Sequence, residues 1–145
     1  MNIETIEDDL ISKLTSDIGL ATAEIRSFPD DPAEYNLVHP GGAILVRYDQ
    51  SIYPEPIPNR KSFLIQEEVR HQWIITVMQK SLKLKDGHQG VYGLVESVRT
   101  SLSGYTITSQ ADFSILWPTG VRFVSENEGT WVYQISFAHT APETE

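Results

Sequence analysis

Cysteine is absent from the 145 residues of this chain, and basic residues are scarce. Without cysteine there can be no disulfide, no thiolate metal site and no thiol nucleophile, and we expect synthesis in a cytoplasm. Lys and Arg number 11 against 20 Asp and Glu, a net charge of −9. This charge argues against duplex DNA or an anionic membrane as a direct partner, because both need clustered basic residues. It fits a protein that stays soluble, or one that lines a passage to which DNA should not adhere.

Long apolar runs are also missing from the sequence. No stretch approaches the ~20 apolar residues of a membrane helix, and the acidic first ten residues are unlike a signal peptide. The hydrophobic share of 40% is that of an ordinary soluble protein. We therefore expect one domain over residues 1–145, ending in an acidic, frayed tail at 140–145.

The sequence contains no recognisable catalytic, phosphate-binding or metal-binding motif. The sequence has no Gly-x-Ser-x-Gly elbow and no Gly-rich phosphate loop, and its four histidines lack metal-ligand spacing. His71 beside Glu67 is a candidate metal ligand or base, but a half-exposed, hydrogen-bonded histidine is the preferred interpretation. We predict no catalytic, cofactor or metal site and no enzyme. The larger aromatic side chains are expected in the core rather than around a ligand: Trp73, Trp117, Trp131, Tyr133 and Phe137.

Two segments have the apolar period of three to four residues that indicates a helix. The first covers residues 2–18, with Asn2 as the candidate N-cap and Gly19 placed to end the helix. The second begins at Val91 and is closed by Gly104.

Alternating or continuous apolar residues predict strands at 21–28, 43–48, 62–80, 113–123 and 131–137. Residues 49–61 are a predicted loop, because prolines at every second position prevent ladder pairing. Short turns join most of these strands. The order of elements therefore predicts an α+β fold, in which a mostly antiparallel twisted sheet carries two main helices on one face.

The segment 62–80 is the longest predicted strand. At ~3.3 Å per residue it would span about 60 Å, several times the usual strand length. We expect it to bend at a bulge or to extend beyond its own sheet as an arm. Its polar centre, residues 66–72, is expected to leave the core, and we interpret it as a contact surface.

Short motifs along nearly the whole chain resemble those of the tail terminator family of Mu-like contractile-tailed phages and prophages. Besides an N-terminal helix with an Ile-Glu-x-x-Leu/Ile pattern, the matching segments are Phe28-Pro29-Asp30-Asp31-Pro32, His39-Pro40-x-Gly42-Ala43, Val46-Arg47-Tyr48, the long strand, Leu94-Val95-Glu96-x-Val98-Arg99, Leu102-x-Gly104-Tyr105 and Arg122-Phe123-Val124-x-Glu126-x-Glu128-Gly129-x-Trp131-x-Tyr133. The chain departs from the family pattern in its proline-rich insert at 52–59.

The resemblance implies a structural virion protein, assembled in the host cytoplasm and located in the tail or neck. It would form a homo-hexameric ring on the head-proximal end of the tail tube, stop polymerisation of tube and sheath, and join the tail to the neck. The partners would be the tail tube protein, the tail sheath protein and the neck or connector protein. Genome DNA would pass through the lumen without specific binding, and no membrane would be involved. An arm strand given to a neighbouring sheet suits such a ring.

Contact residues are assigned from their expected exposure. Contacts between subunits are predicted at Glu67, Glu68, Arg70, His71 and Gln72. Contacts with tube, sheath or neck are predicted at Tyr53, Pro54, Glu55, Pro56 and Arg60.

Two alternatives stay open at this point. The chain could form another ring of the neck or baseplate, which the sequence does not separate from a terminator. It could also be a small α+β ligand-binding domain or enzyme with an unrecognised pocket. That alternative predicts a monomer or dimer with a dry concave site.

Overall fold

The computed structural model describes residues 2–32, 35–54, 68–84, 87–109 and 113–142, with the backbone alone at Glu68 and Pro142. Its elements follow the predicted order of helices and strands. They are α1 (Ile3–Ile18), β1 (Glu24–Ser27), β2 (Ala43–Ile52), β3 (Glu68–Gln79), α2 (Val91–Leu102), β4 (Trp117–Asn127) and β5 (Thr130–Pro142).

The five strands form one sheet in the order β1-β2-β3-β5-β4. The pair β1–β2 is parallel, and the other three pairs are antiparallel. Both helices pack on the same face of this sheet and share one hydrophobic core with it. The predicted α+β fold, with a mostly antiparallel sheet and two helices on one face, is confirmed.

The helix α1 forms because apolar side chains recur every four residues on one side of it. Ile6, Leu10 and Leu14 make this stripe, and all three are fully buried. At the start of the helix the Thr5 backbone N–H donates to Oδ1 of Asn2 at 3.0 Å, so the predicted cap is present. At its end Gly19 has a φ of 90°, a conformation that favours glycine.

The helix α2 packs beside α1 and over the centre of the sheet. At the C-terminal ends of the two helices, Oγ of Ser101 donates to Oδ2 of Asp17 at 2.7 Å. This hydrogen bond, together with Lys13, lowers the pKa of the Asp17 carboxyl. The buried face of α2 consists of Val91, Leu94, Val95, Val98, Ser101 and Leu102.

The strand β3 supplies the centre of the core. Trp73, Ile75 and Val77 point toward the helices and are fully buried. Next to them on β5, Phe137 pairs with Trp73 and Ile135 pairs with Ile75. Burying a side chain of this size contributes about 1.5–3 kcal/mol relative to leaving it exposed. The central strands therefore contribute most to holding the fold together.

The polar end of β3, residues 68–72, remains in the sheet, contrary to the prediction that the polar centre of the long strand, residues 66–72, leaves the core. Arg70 pairs with Ile52 of β2 and with Thr140 of β5, and Val69 is fully buried. A strand with partners on both edges has no free backbone N–H and C=O groups with which to pair a strand of a neighbouring chain. The rest of the predicted long strand, residues 62–67, lies outside the described residues.

The two neighbours of β3 are longer than predicted. β2 continues to Ile52, although the pattern predicts a loop from residue 49. A bulge between Tyr48 and Gln50 keeps this polar end in the ladder. β5 continues to Pro142, so residues 140–142 belong to the sheet and not to a frayed tail.

Candidate subunit-contact surfaces

Two of the predicted contact residues, Arg70 and Gln72, lie on the sheet face opposite the helices and are half-buried. Cζ of Arg70 is 6.0 Å from the centroid of the Trp117 ring. Nε2 of Gln50 donates to Oε1 of Gln72 at 3.0 Å. Because their backbones are already paired on both sides, these residues can offer another chain only their side chains.

The prediction that His71 contacts a neighbouring subunit conflicts with its position. This residue lies on the core side of β3 and is only 4% exposed. Its Nδ1 is 2.7 Å from Oγ of Ser51, and its ring centroid is 5.2 Å from that of His139. His71 is thus hydrogen-bonded, as the preferred interpretation expects, but buried and not half-exposed. The reason is its place in the alternation, which puts it on the same face as Trp73.

The second histidine of this group, His139, is fully buried. Nε1 of Trp73 donates to its Nε2 at 3.0 Å, and the Phe113 ring stacks on it at 4.7 Å between centroids. Burial, and secondarily the charge of His71, lower the pKa of His139 to about 4. The imidazole is therefore neutral at pH 7 and accepts a hydrogen bond in the core.

The predicted contacts with tube, sheath or neck begin just after β2. Tyr53 is 61% exposed and Pro54 is half-buried. Tyr53 follows Ile52, which pairs with Arg70, so the end of β2 and the polar end of β3 lie side by side. The remaining predicted contact residues lie outside the described part of the chain, or have no described side chain: Glu55, Pro56, Arg60, Glu67 and Glu68.

A second group of exposed side chains lies where the hairpin of β4 and β5 meets the start of α2. Phe123 is 49% exposed, and its ring centroid lies 5.5 Å from that of Tyr133 and 6.2 Å from that of Trp131. Tyr92 of α2 adds a further ring, 6.0 Å from Tyr133. Exposed clusters of aromatic side chains are typical of protein–protein contacts. We call this group the hairpin surface; its members are Tyr92, Val121, Phe123, Trp131 and Tyr133.

The strand β4 is an edge strand, and every residue in it after Trp117 is exposed. Its register shifts twice, between Pro118 and Gly120 and between Phe123 and Ser125. Bulges and proline on an edge strand hinder the addition of a further strand. Contact at this edge is therefore favoured through side chains and not through backbone pairing.

Exposed apolar side chains also lie on the loops before β1 and β2, near the start of these strands. Leu20 is 57% exposed and Val38 is 74% exposed. His39 connects these loops: its Nδ1 accepts from the Gly41 N–H at 2.9 Å, and its Nε2 therefore donates to the Leu20 carbonyl at 2.9 Å. We call Leu20 and Val38 the loop surface.

Two open clefts are lined mainly by polar side chains. One, of about 660 Å³, lies between α1 and α2 and includes Asp17 and Ser101. The other, of about 430 Å³, lies between residues 35–37 and the tip of the hairpin. Within the described ranges no group of three or more His, Asp or Glu could hold a metal ion. No helix in that part of the chain is long and apolar enough to cross a membrane.

Comparison with known proteins identifies the family. A family model described as Gp37 protein matches residues 11–145. The chain belongs to the Gp37 protein family. No curated protein matches it. Among solved structures, this Gp37 family member is similar to a chain in the virion of a native gene transfer agent particle, with 12% identity and a TM-score of 0.53. The match covers 94% of each chain and shows a shared fold over almost the whole length.

The hairpin surface is the group that sequence reasoning missed. Trp131 and Tyr133 continue the alternation of the buried Phe137, so the pattern predicts all three in the core. In the structure the first two are only partly buried, because they lie toward the edge of the sheet. The available signal was the Pro and Gly of β4, which are typical of an edge strand.

Proposed function

We propose that this protein is a structural component of a phage-type virion and acts as a tail terminator. The observation that carries the proposal is the end-to-end match of its fold to a chain of a virion particle, over 94% of both chains. Membership of the Gp37 family supports a phage structural protein, and the motif resemblance supports the terminator role within that class. The protein would reside in the virion, at the junction of tail and neck.

In this proposal six copies form a ring on the head-proximal end of the tail tube. The ring ends the growth of tube and sheath and presents its other face to the neck or connector protein. Genome DNA passes through the lumen without specific binding. The net charge of −9 is consistent with such a passage, because like charges keep the DNA from adhering.

Residues between β2 and β3 are proposed to contact the partner proteins of the ring. Tyr53 and Pro54 belong to this group, together with Glu55, Pro56 and Arg60. Glu67 and the polar end of β3, with Glu68, Arg70 and Gln72, are proposed to contribute to contacts between subunits. Half-buried polar side chains such as those of Arg70 and Gln72 are typical of the rim of an interface, where each contributes little binding energy.

Two measurements test the proposal on the full chain. Light scattering gives the mass in solution, and negative-stain microscopy shows whether the chain forms rings and whether it caps purified tail tubes. We expect rings of six copies, either free or assembled on tube ends, and tubes of fixed length in their presence. A protein that stays a single chain and leaves tube growth unchanged would contradict the proposal.

A further inference from the structure

We propose that residues 113–115 form a strap over the buried His139, and that protonation of this histidine releases the strap from the end of β5. The device is part of the fold of one chain and does not depend on the ring of the proposed function. Three observations carry it: the hydrogen bond that His139 accepts, the stacking of Phe113 on its ring, and the few bonds that hold the strap.

His139 has no place for a second proton in its present position. Its Nε2 accepts the N–H of Trp73 at 3.0 Å, so the single proton of the neutral ring is on Nδ1. A second proton would have to bind Nε2, where it would face the Trp73 donor and remove this hydrogen bond. The charged ring would also lie in the core beside His71, 5.2 Å away between centroids. Protonation therefore requires the ring to move or its cover to open.

Three side chains against the His139 ring differ in how firmly they are held. Trp73 and His71 belong to β3, which has partners on both edges. The Phe113 ring stacks on that of His139 at 4.7 Å between centroids and lies 5.9 Å from that of His71. Phe113 itself belongs to no helix or strand. Of these three side chains, Phe113 therefore moves away at the lowest cost in free energy.

Two hydrogen bonds join the strap to β5. The Ser114 N–H donates to the Thr140 carbonyl at 2.9 Å, and the Thr140 N–H donates to Oγ of Ser114 at 2.8 Å. The next anchor is Leu116, which is fully buried and donates its N–H to the Tyr105 carbonyl at 2.8 Å. Release of the strap would thus pivot at Leu116. It would free the backbone of Thr140 at the edge of the sheet, because β4 pairs with β5 only as far as Ala138.

Titratable groups face His139 from β3 and, through Ser51, from β2. Nδ1 of His71 is 2.7 Å from Oγ of Ser51, which also bonds to the hydroxyl of Tyr48. Burial, and secondarily the charge of His71, lower the pKa of His139 to about 4 while the strap is closed. In water the pKa of the ring would return to about 6.5. The released state therefore binds the additional proton, and acid favours release.

The effect of histidine is separable from that of carboxyl groups. Asp9 of α1 accepts the Ser109 N–H at 3.0 Å, before the strap. Glu67 and Asp112, next to β3 and the strap in the sequence, lie outside the described residues. A carboxyl with an ordinary pKa near 4 stays charged between pH 7 and pH 5, whereas histidine changes its charge there. A change within this interval therefore reports on histidine.

Hydrogen exchange of the wild-type protein tests the release. With a pKa that rises from about 4 to about 6.5, release becomes about 20 times more favourable between pH 7 and pH 5. The Ser114 and Thr140 amides should lose protection by this factor, after correction for intrinsic exchange rates. They should also exchange about tenfold or more faster than the Ile75 amide and respond little to dilute urea, because local opening exposes little surface. Equal protection and equal urea dependence of these three amides would overturn the proposal, since His139 would then titrate only on global unfolding.

Variants show whether Phe113 and His139 cause the effect. Phe113→Ala should lower the protection of the Thr140 amide at pH 7 about tenfold, because the stacked ring is lost. Ile115→Ala is the matched control on the same strap, since Ile115 is 54% exposed, and should leave this protection unchanged. His139→Gln should reduce the loss between pH 7 and pH 5 from about 20-fold to less than about threefold. An unchanged loss in His139→Gln, or equal protection in the two strap variants, would overturn the proposal.

Discussion

The polar end of β3 and the hairpin surface look alike in sequence and differ in the fold. Both alternate apolar with polar residues, and both contain residues that a neighbouring chain could contact. The first lies at the centre of the sheet with partners on both sides, whereas the second lies at its edge. His71 is 4% exposed and Phe123 is 49% exposed. The position of a strand in the sheet therefore decides which side chains are available for contact, more than their polarity does.

The largest expected effect is the loss of a central side chain. Trp73→Ala should lower the free energy of unfolding by about 3–5 kcal/mol, because it leaves a cavity in the core. It also removes the hydrogen bond donated to His139. Urea unfolding monitored by circular dichroism measures this change. A loss below about 1 kcal/mol would show that β3 is not the centre of the core.

The next effect is a dependence of stability on pH. The pKa of His139 is lowered from 6.5 to about 4 in the folded chain. Between these values the unfolded chain binds more protons, so stability should fall as the pH drops from 6.5 to 4, by up to about 3 kcal/mol. Urea unfolding at several pH values measures the slope.

A matched pair of variants shows which histidine causes this dependence of stability on pH. His139→Gln should make it shallower, whereas His88→Gln at an exposed position should retain it. Equal slopes in the two variants would contradict the assignment to the buried histidine.

The smallest effect is expected at the edge of the sheet. Phe123→Ala should lower the free energy of unfolding by less than about 1 kcal/mol, because half of this side chain is already in water. The same urea titration measures it beside Trp73→Ala. A loss as large as that of Trp73→Ala would show that Phe123 acts mainly in the core of its own chain.

Much of the fold could be predicted because local periodicity specifies local structure. The stripe of α1 with Asn2 before it and Gly19 after it defines that helix. The alternation around Trp73 defines β3. The extension of β2 was missed because its polar residues resemble a loop, and a bulge together with the bond between Gln50 and Gln72 keeps them in the sheet.

The contact surfaces could not be predicted in the same way. Phe123 and Phe137 occupy equivalent places in their alternating patterns, yet the second is fully buried. What separates them is the strand order, which brings β5 between β3 and β4. That order depends on pairing between distant segments, and its local mark in the sequence is limited to the Pro and Gly of β4. The loop surface likewise appears only once the loops before β1 and β2 come together.

The most direct measurement is the mass in solution of wild type, Phe123→Asp and Gln72→Asp, compared by light scattering with and without purified tail tubes. Both variants add the same charge, one at the edge of the sheet and one at its centre. We predict rings for wild type, rings in a slightly lower proportion for Gln72→Asp because a contact at the rim contributes little binding energy, and single chains for Phe123→Asp with an unchanged circular dichroism spectrum. Rings of Phe123→Asp together with single chains of Gln72→Asp would contradict the edge contact. A wild-type protein that stays a single chain even with tubes would contradict the ring itself.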